Sequence, residues 1–377
     1  MCGTTDERFM RDAIALSLRG AGRVAPNPLV GCVIVRDQAV VGSGFHARWG
    51  GPHAEAEALR DAGDGARGAT LYVTLEPCTH HGKTPPCSRA VLGSGVRRVA
   101  IAVRDPSPVA RGGADELRAA GVEVTIGVCA PEAVLANAAY LKWRLAGLPL
   151  VHIKLAATVD GRVSGPTGLG ERITGGESCR QVHRMRAESS AVLTGVGTVL
   201  ADDPLLNARP PEGEAERQPL RVLLDPSGRI PPGARVLASA TETAPVLWLV
   251  AQGATPQPPG GPCRDHIEVV TCAVKGPGLD LEWVLRYLAE RDMTSVLVEA
   301  GPKLSTSFVR EGLADRLTLF LAPRLMGDQG LPALESLGLA TADDAPTLER
   351  SSWSPAGDDM RLDAWLPGLD WPALALL

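Results

Sequence analysis

The amino-acid sequence predicts two α/β domains, and three observations lead to this prediction. The chain has 377 residues, which is enough for two domains of ordinary size. Short apolar segments alternate with helical segments through the first part, as is typical of a mostly parallel sheet covered on both faces. The two halves share no motif and contain no internal repeat. We therefore expect a fusion of two different domains, over residues 1–148 and 149–377.

The first domain is predicted to alternate helices and strands. The predicted helices cover residues 6–18, 53–63, 88–94 and 115–120, and the predicted strands cover residues 31–35, 69–75, 96–103 and 122–128. A further helix is expected over residues 131–145. It stops at Gly147, because a glycine followed closely by Pro149 ends a helix and marks the domain boundary.

The second domain is predicted to open with a strand in "VHIKLAATVDGR". Further strands are expected at residues 191–194, 221–225, 245–250, 267–274, 295–299, 316–323 and 360–366. One helix has a strong pattern. Asp280 is suited to cap it, and the apolar residues that follow have the spacing of one helix face: Leu281, Val284, Leu285 and Leu288.

Composition excludes several classes of protein. Hydrophobic residues make up 45% and charged residues 21%, as in soluble globular proteins. The net charge is -5 without a basic block, so nucleic acid is not expected as a partner, although a local pocket for a small phosphorylated ligand is compatible. Apolar runs are too short to cross a membrane, and no secretory signal is recognised. Eight scattered cysteines indicate reduced thiols, so we expect a cytoplasmic protein.

Two segments of the first domain carry a candidate zinc site. "HAEAEAL" begins with His53 and has Glu55 two residues later, while "TLEPCTHHGKTPPC" contains Cys78 and ends at Cys87. One histidine and two thiolates form a ligand set that zinc accepts, with a fourth position left for water. The pattern predicts one catalytic Zn²⁺ per chain, bound by His53, Cys78 and Cys87.

The spacing of His53 and Glu55 restricts where they lie on a helix. Each residue turns an α-helix by about 100°, so residues two apart in a helix interior point to nearly opposite sides. His53 and Glu55 can lie next to the same metal ion only if they belong to the first turn of a helix. Pro52, directly before His53, supports a helix start at this point. The same reasoning predicts that Cys78 lies at a helix N-terminus, where the dipole and free N–H groups favour a thiolate.

These residues together predict hydrolytic deamination. Zinc lowers the pKa of its bound water and makes a hydroxide available at neutral pH. Glu55, a carboxylate that is not a ligand, would then move protons to a ring nitrogen and to departing ammonia. His-x-Glu followed by Pro-Cys-x-x-Cys is typical of zinc deaminases of nucleobases, but here eight residues separate the cysteines. A structural zinc site completed by His80 or His81, or merely buried thiols, would also explain the pattern.

Seven longer motifs resemble the bifunctional deaminase/reductase family of riboflavin biosynthesis. They are "PNPLVGCVIV", "PHAEAEAL", "TLEPCTHHGKTPPC" and "VRDPSP" in the first half, and "IKLAATVDGR", "LTGVGTVLADDPLLNAR" and "VEAGPKL" in the second. The resemblance spans nearly the whole chain, and the long cysteine spacing fits that family. It implies a cytidine-deaminase-like three-layer domain followed by a dihydrofolate-reductase-like domain.

The resemblance implies two reactions on one phosphorylated pyrimidine. A zinc hydrolase removes the 2-amino group of 2,5-diamino-6-(5-phosphoribosylamino)pyrimidin-4-one, and a reductase then uses NADPH to convert the ribosyl group to ribityl. Glu55 is implied to be the proton shuttle. The implied contacts to the pyrimidine or its phosphoribosyl tail are Asn27, His80, Lys83 and Asp105. The family usually has asparagine where this chain has Ser107, which cannot present asparagine's paired groups.

For the second domain the resemblance implies contacts to NADPH and to the substrate. The NADPH contacts are Ala157, Thr198, Asp202 and a segment made of Gly301, Pro302, Lys303, Leu304, Ser305, Thr306 and Ser307. The substrate contacts are Arg186, Leu206, Arg209 and Glu299, of which the arginines are suited to fork a phosphate. Asp202, with Lys154, is a candidate for orienting or protonating the opened sugar. The family often has an aromatic residue near the position of Arg172, so no stacking role is expected for this arginine.

The segment "SVLVEAGPKLSTSF" points to a phosphate site from its residues alone. It predicts a buried strand ending at Glu299, a turn at Gly301 and a helix from Pro302. Backbone N–H groups at such a helix start, with the hydroxyls of residues 305–307, would cradle a phosphate, and a routine strand-to-helix turn is the alternative. The glycines at 195–197 lack the third glycine of the Rossmann fingerprint, so an ordinary Rossmann domain is not expected.

Two other functions fit parts of the sequence. A nucleic-acid-editing deaminase with an inert C-terminal module would keep the zinc motif, but the acidic balance and the reductase motifs argue against it. A non-enzymatic scaffold would keep a structural zinc. We expect small phosphorylated pyrimidines as partners and a homo-oligomer, since fusion enzymes of this size often self-associate.

Overall fold

The computed structural model describes residues 4–81, 85–165, 172–211, 213 and 215–368. The described residues divide into two compact units, the first ending at Gly147 and the second covering residues 148–368. Each unit has its own sheet and its own apolar core. No described helix has both the length and the apolar character of a membrane span.

The described residues of the first unit contain a five-stranded sheet and six α-helices. The strands are β1 (Gly31–Arg36), β2 (Ala39–Phe45), β3 (Thr70–Leu75), β4 (Arg98–Val103) and β5 (Glu123–Ile126). The helices are α1 (Thr5–Ser17), α2 (Ala54–Ala62), α3 (Cys87–Ser94), α4 (Gly113–Ala119), α5 (Ala130–Ala136) and α6 (Ala138–Ala146). The sheet order is β2-β1-β3-β4-β5.

This sheet is mixed, which corrects the expectation of a mostly parallel one. β1 is antiparallel to both β2 and β3, and only β3, β4 and β5 run parallel. The sequence analysis missed β2, which contains two glycines. A Cβ on Gly42 would lie 2.5 Å from the Ala58 carbonyl oxygen, and one on Gly44 would lie 2.5 Å from that of Ala54. The glycines therefore let α2 pack directly on the strand.

The helix predicted over residues 131–145 is two helices, α5 and α6, that meet at Asn137. The Asn137 side chain accepts a hydrogen bond from the Leu29 N–H at 2.8 Å and donates one to the Leu29 carbonyl at 2.7 Å. Such side-chain bonding to the backbone competes with a continuous helix. The break thereby fixes the loop that carries Asn27.

The second unit contains a nine-stranded sheet in the part of the chain that the structure describes. The strands of this unit are β6 (Leu150–Thr158), β7 (Arg162–Ser164), β8 (Ala191–Gly195), β9 (Leu220–Leu224), β10 (Val246–Ala251), β11 (Ile267–Cys272), β12 (Val274–Lys275), β13 (Gly278–Leu279), β14 (Ser295–Val298), β15 (Arg316–Ala322), β16 (Leu331–Pro332), β17 (Glu349–Ala356) and β18 (Asp359–Trp365). Its helices are α7 (Gly176–Glu188), α8 (Val196–Asp202), α9 (Arg235–Ala238), α10 (Leu281–Glu290) and α11 (Pro302–Arg310).

The large sheet has the order β11-β10-β9-β8-β14-β6-β15-β18-β17, parallel as far as β15 and antiparallel beyond it. The structure has a strand at each position predicted for this half. The edge strand β17 was missed because every residue except the last is exposed, so the segment lacks an apolar alternation. Together with the first unit, this confirms the predicted α/β class.

Helix α10 confirms the strongest helix prediction in the sequence. Asp280 is its N-cap and accepts hydrogen bonds from the backbone N–H groups of Glu282 and Trp283. The four apolar residues of the predicted face are all buried: Leu281, Val284, Leu285 and Leu288.

Candidate functional site

Helix α2 brings His53 and Glu55 to one point in space. His53 is the N-cap residue, with an extended backbone, and Glu55 lies in the first turn. Glu55 is 3% exposed. The structure thus has the first-turn arrangement that the two-residue spacing requires.

The three predicted zinc ligands form one cluster. His53 Nδ1 lies 3.2 Å from Cys87 Sγ and 3.5 Å from Cys78 Sγ, and all three ligand atoms lie within 4.8 Å of one another. Tetrahedral zinc, with Zn–N of about 2.0 Å and Zn–S of about 2.3 Å, sets neighbouring ligand atoms about 3.5 Å apart. The donor set and its spacing therefore fit zinc. Among the described residues, neither His80 nor His81 joins the cluster, so three protein ligands leave a fourth position open.

Cys78 is not the start of a helix, which corrects the prediction made for it. Helix α3 begins at Cys87, because Pro86 directly before it supplies the helix start. The Cys87 backbone N–H donates to Cys78 Sγ at 3.5 Å. Cys78 therefore lies beside the N-terminus of a helix in space although it does not belong to that helix, and the electrostatic benefit to a thiolate is retained.

The cluster perturbs the pKa values of its members. A hydrogen bond from the Cys87 thiol, opposed by burial and aided by His53, lowers the pKa of Cys78 to about 4. The same hydrogen bond raises the pKa of Cys87. Burial raises the pKa of Glu55 to about 7. A carboxyl group that titrates near neutrality both accepts and donates a proton readily, as a proton shuttle requires.

A cavity of about 270 Å³ opens beside this cluster. Of the predicted residues, it is lined by Asn27, His53, Glu55, Cys78, His80, Asp105 and Ser107. Lys83 lies outside the described residues. The cavity is also lined by residues that the sequence analysis did not select, namely His46, Glu76, Tyr140 and Arg144.

His46 holds Asn27 in place at the cavity wall. Its Nδ1 lies 2.9 Å from the Pro52 carbonyl oxygen, which assigns the ring proton to Nδ1. Its Nε2 then accepts from the Asn27 amide at 3.1 Å. Burial lowers the pKa of His46, which favours this neutral form. A histidine seven residues before His53 carries no spacing signal, so the sequence did not reveal this role.

Asp105 is fixed by a buried network. Its Oδ1 accepts from the Tyr140 hydroxyl at 2.9 Å and from the Ser107 N–H at 2.9 Å, while its own N–H donates to Glu76 Oε2 at 3.1 Å. Ser107 therefore orients Asp105 through its backbone. Elsewhere on the wall, His80 Nδ1 is buried and has no hydrogen-bond partner among the described residues, which leaves it available to a ligand.

In the second unit, charged residues collect where β14 ends beside the middle of β6. Val298 pairs with Ile153, so Glu299 and Lys154 follow at neighbouring positions. Glu299 accepts a bidentate ion pair from Arg186, with Nε–Oε1 at 2.5 Å and Nη2–Oε2 at 2.9 Å. Burial lowers the pKa of Lys154, opposed by the nearby charges of Glu299 and Asp202. In parallel sheets this edge is where ligands bind.

Helix α11 begins at Pro302, with Gly301 as its N-cap, as predicted. The Gly301 N–H donates to Thr198 Oγ1 at 3.1 Å. The expected hydroxyl contribution of Ser305 and Thr306 to a phosphate site stays a prediction; the two side chains are 0% and 1% exposed. Ser305 donates to the Ala300 carbonyl, and Thr306 accepts from the Glu335 N–H. A phosphate cradle here would rest on backbone N–H groups of the first turn.

The remaining predicted contacts of the second unit differ in exposure. Ala157 and Leu206 are buried, at 0% and 1% exposure, so their side chains belong to the packed interior. The Arg209 N–H donates to His183 Nδ1 at 3.1 Å, and the Arg209 side chain is exposed. Arg172 is exposed as well. The roles of Ala157, Leu206 and Arg209 toward cofactor and substrate stay predictions, and none is expected for Arg172.

Comparisons with known proteins agree with this two-part arrangement. The family profile for the zinc-binding region of cytidine and deoxycytidylate deaminases matches residues 3–103, and that for the RibD C-terminal domain matches residues 149–362. The riboflavin biosynthesis protein RibD of Aquifex aeolicus is 38% identical over 94% of this chain and 97% of its own length. Its Escherichia coli counterpart is 38% identical over 95% of this chain and 98% of its own length.

Solved structures give the same result. Acinetobacter baumannii RibD superposes with a TM-score of 0.85 at 37% identity, covering 97% of this chain and 99% of the other. The Thermotoga maritima protein described as a diaminohydroxyphosphoribosylaminopyrimidine deaminase/5-amino-6-(5-phosphoribosylamino)uracil reductase has a TM-score of 0.84 at 36% identity, covering 96% and 99%. With relatives matched along almost their full length, this chain belongs to the RibD family of bifunctional deaminase/reductases of riboflavin biosynthesis.

Proposed function

We propose that this chain deaminates 2,5-diamino-6-(5-phosphoribosylamino)pyrimidin-4-one and then reduces the ribosyl group of the resulting uracil to ribityl with NADPH. The observation that carries the proposal is the cluster of His53, Cys78 and Cys87 beside a cavity that Glu55 also lines. It is supported by the match of the second half to the RibD C-terminal domain.

In the first reaction, His53, Cys78 and Cys87 would hold zinc, which when bound supplies the Lewis acidity that makes hydroxide available at neutral pH. Glu55 takes a proton from the attacking water and passes it to the ring nitrogen next to the amino-bearing carbon. It then assists proton delivery to the departing amino group. Water and the amino compound are consumed, and the carbonyl compound and ammonia are formed.

The pyrimidine would be held by polar groups on the cavity wall. Asn27 is oriented by His46, and Asp105 by Tyr140 and Ser107. His80 offers its unpartnered Nδ1. Fixing the ring in this way keeps the reacting carbon next to Glu55, which is how positioning groups contribute to rate. Lys83 is proposed to contact the substrate as well.

In the second reaction, the carboxyl ends of the parallel strands would receive the sugar. Reduction adds a hydride to C1 of the ribosyl group, the bond from C1 to the ring oxygen breaks, and a proton is delivered to that oxygen. Lys154 and Asp202 are proposed to supply and orient that proton. Arg186, Arg209, Glu299 and Leu206 are proposed to contact substrate. NADPH is proposed to contact Ala157, Thr198 and the 301–307 segment, mainly through backbone N–H groups.

An assay that follows ammonia and NADPH separately tests the proposal. Zinc-loaded protein supplied with the diaminopyrimidine phosphate is expected to release ammonia without NADPH, and to consume NADPH only after deamination. Folded, zinc-loaded protein that gives neither signal would rule out the proposal. We further propose that the chain forms a homo-oligomer, which sedimentation analysis tests.

A further inference from the structure

Arg144 lies at the deaminase cavity without a role in the zinc chemistry described above. It belongs to the last turn of α6 and its side chain is exposed while lining the cavity. Its guanidinium carbon stands 4.0 Å from the centroid of the Trp143 ring and 5.6 Å from that of Tyr140. Stacking on aromatic rings limits the freedom of a guanidinium, and Arg144 also forms a hydrogen bond with the Tyr140 side chain.

The charges of the cavity make this arginine unusual. Three carboxylates line the wall, those of Glu55, Glu76 and Asp105. Among the described lining residues, Arg144 alone is a lysine or arginine. Within the described chain no carboxylate forms an ion pair with it, whereas Glu76 already has Arg104 at 3.7 Å. A doubly charged phosphate would be repelled by such a wall unless a cation received it.

Arg144 is also linked to the groups that hold the pyrimidine. It lies beside the ring of Tyr140, whose hydroxyl donates to Asp105. Arg144, Tyr140 and Asp105 therefore form a connected series of polar groups, with Arg144 exposed at one end and Asp105 buried at the other. Arg144 is exposed and lines the same cavity as Glu55, so it is able to contact the anionic tail of a ligand whose base lies near Glu55.

We propose that Arg144 binds the 5-phosphate of the deaminase substrate and makes this site selective for phosphorylated pyrimidines. This inference rests on the proposed function and adds a specificity-determining residue to it. A guanidinium can donate hydrogen bonds to two phosphate oxygens at once. Charge-assisted hydrogen bonds of this kind are about twice as strong as neutral ones. Trp143 is the positioning residue, because its ring stacks against the Arg144 guanidinium and restricts its orientation.

A different explanation is that Arg144 merely stabilises the end of α6. Cations in the last turn of a helix interact favourably with its dipole. That explanation predicts a loss of thermal stability and no change in substrate preference. The phosphate explanation predicts the opposite pattern, so kinetics with two substrates separates them.

The test compares ammonia release from the phosphorylated diaminopyrimidine and from its dephosphorylated counterpart. For Arg144→Gln we expect KM for the phosphorylated compound to rise roughly tenfold to a hundredfold, with kcat within about twofold and kinetics on the dephosphorylated compound unchanged. Arg144→Lys should recover part of the loss, because lysine keeps the charge but not the fork. Arg118→Gln is the matched control, since Arg118 is an exposed helical arginine outside the cavity.

The outcomes are distinct. A KM ratio between the two compounds that stays at the wild-type value in Arg144→Gln would overturn the inference while the proposed function stands. The same applies if Arg144→Gln weakens both compounds equally, or if it only lowers the melting temperature. No ammonia from the wild-type chain with either compound would overturn the proposed function itself. Circular dichroism of Arg144→Gln and Arg144→Lys checks that both remain folded.

Discussion

The predicted site residues of the two units differ in their surroundings. In the first unit, His53, Glu55, Cys78 and Asp105 converge on one cavity, and their side chains face it. In the second unit, Arg186 and Glu299 pair with each other, and Ser305, Thr306 and Leu206 are buried. Metal and proton chemistry require particular side chains, whereas a dinucleotide is held largely by backbone groups that any sequence supplies.

This contrast explains why sequence motifs predict individual residues of the zinc site, but predict only a segment of the chain for the cofactor site of the second unit. Each variant below affects one unit and leaves the other as an internal control. They are ordered from the largest expected effect to the smallest.

His53→Ala should abolish ammonia release and remove zinc from the protein. Loss of one of three ligands leaves two thiols, which cannot complete the tetrahedral set. Zinc content by atomic absorption and ammonia release are the measurements, and reduction of the deaminated uracil with NADPH should persist. His81→Ala is the control, because His81 is exposed and outside the ligand group. Zinc retained in His53→Ala would contradict the ligand assignment.

Glu55→Gln should keep its zinc and lose activity. Removing a general acid/base costs about 10²–10⁴-fold in rate, so kcat for ammonia release should fall by roughly that factor. Glu57→Gln, on the same helix and paired with Arg60, is the matched control and should be close to wild type. Equal losses in the two variants would refute the assignment of Glu55 as the proton shuttle.

Glu299→Gln should affect the second unit alone. The Arg186–Glu299 pair is largely buried, and breaking such a pair costs about 3 kcal/mol because a buried charge is left uncompensated. Urea unfolding should register this loss, and NADPH consumption should fall by about tenfold or more if both residues contact substrate. Glu282→Gln breaks an exposed pair with Arg286 and should cost about 0.5 kcal/mol or less. Similar losses in both variants would argue against the importance of burial.

Asp6→Asn should weaken the pH dependence of the first unit's stability. Hydrogen bonds from Arg98 hold the pKa of Asp6 below its ordinary value of 3.8. A carboxylate with a lowered folded pKa contributes stability above its ordinary pKa, and the contribution is lost as the pH falls through the folded value. The variant should be about 1 kcal/mol less stable near neutrality and show a flatter decline below pH 4. Asp12→Asn, exposed on the same helix, is the control. Melting curves between pH 7 and pH 3 that decline in parallel would contradict this account.

Asp280→Ala should have an effect about as small as that of Asp6→Asn, but in the second unit. It removes the N-cap of α10, which costs about 1 kcal/mol. Chemical unfolding of the second unit is the measurement, and ammonia release should be unchanged. Asp280→Ser should restore most of the loss, since serine also caps. An Asp280→Ser variant as unstable as Asp280→Ala would show that the cap is not the cause.

The sequence predicted those features that depend on local spacing. The helix start at His53, the cap at Asp280 and the turn before Pro302 all follow from short-range rules, and the structure has each of them. The prediction that a helix begins at Cys78 was wrong. The helix begins at Cys87, after Pro86, and its N-terminus lies next to the Cys78 thiol in space. The roles of His46 and Tyr140 depend on contacts with distant residues, which spacing along the chain does not encode.

The most direct test of the two-site account is to measure NADPH consumption by zinc-loaded Glu55→Gln with each of two substrates. Supplied with 5-amino-6-(5-phosphoribosylamino)uracil, the variant should consume NADPH at the wild-type rate, because the second unit is intact. Supplied with the diaminopyrimidine phosphate, it should consume almost none, because the first unit no longer delivers the uracil. Consumption lost with the uracil, or retained at the wild-type rate with the diaminopyrimidine, would contradict the account.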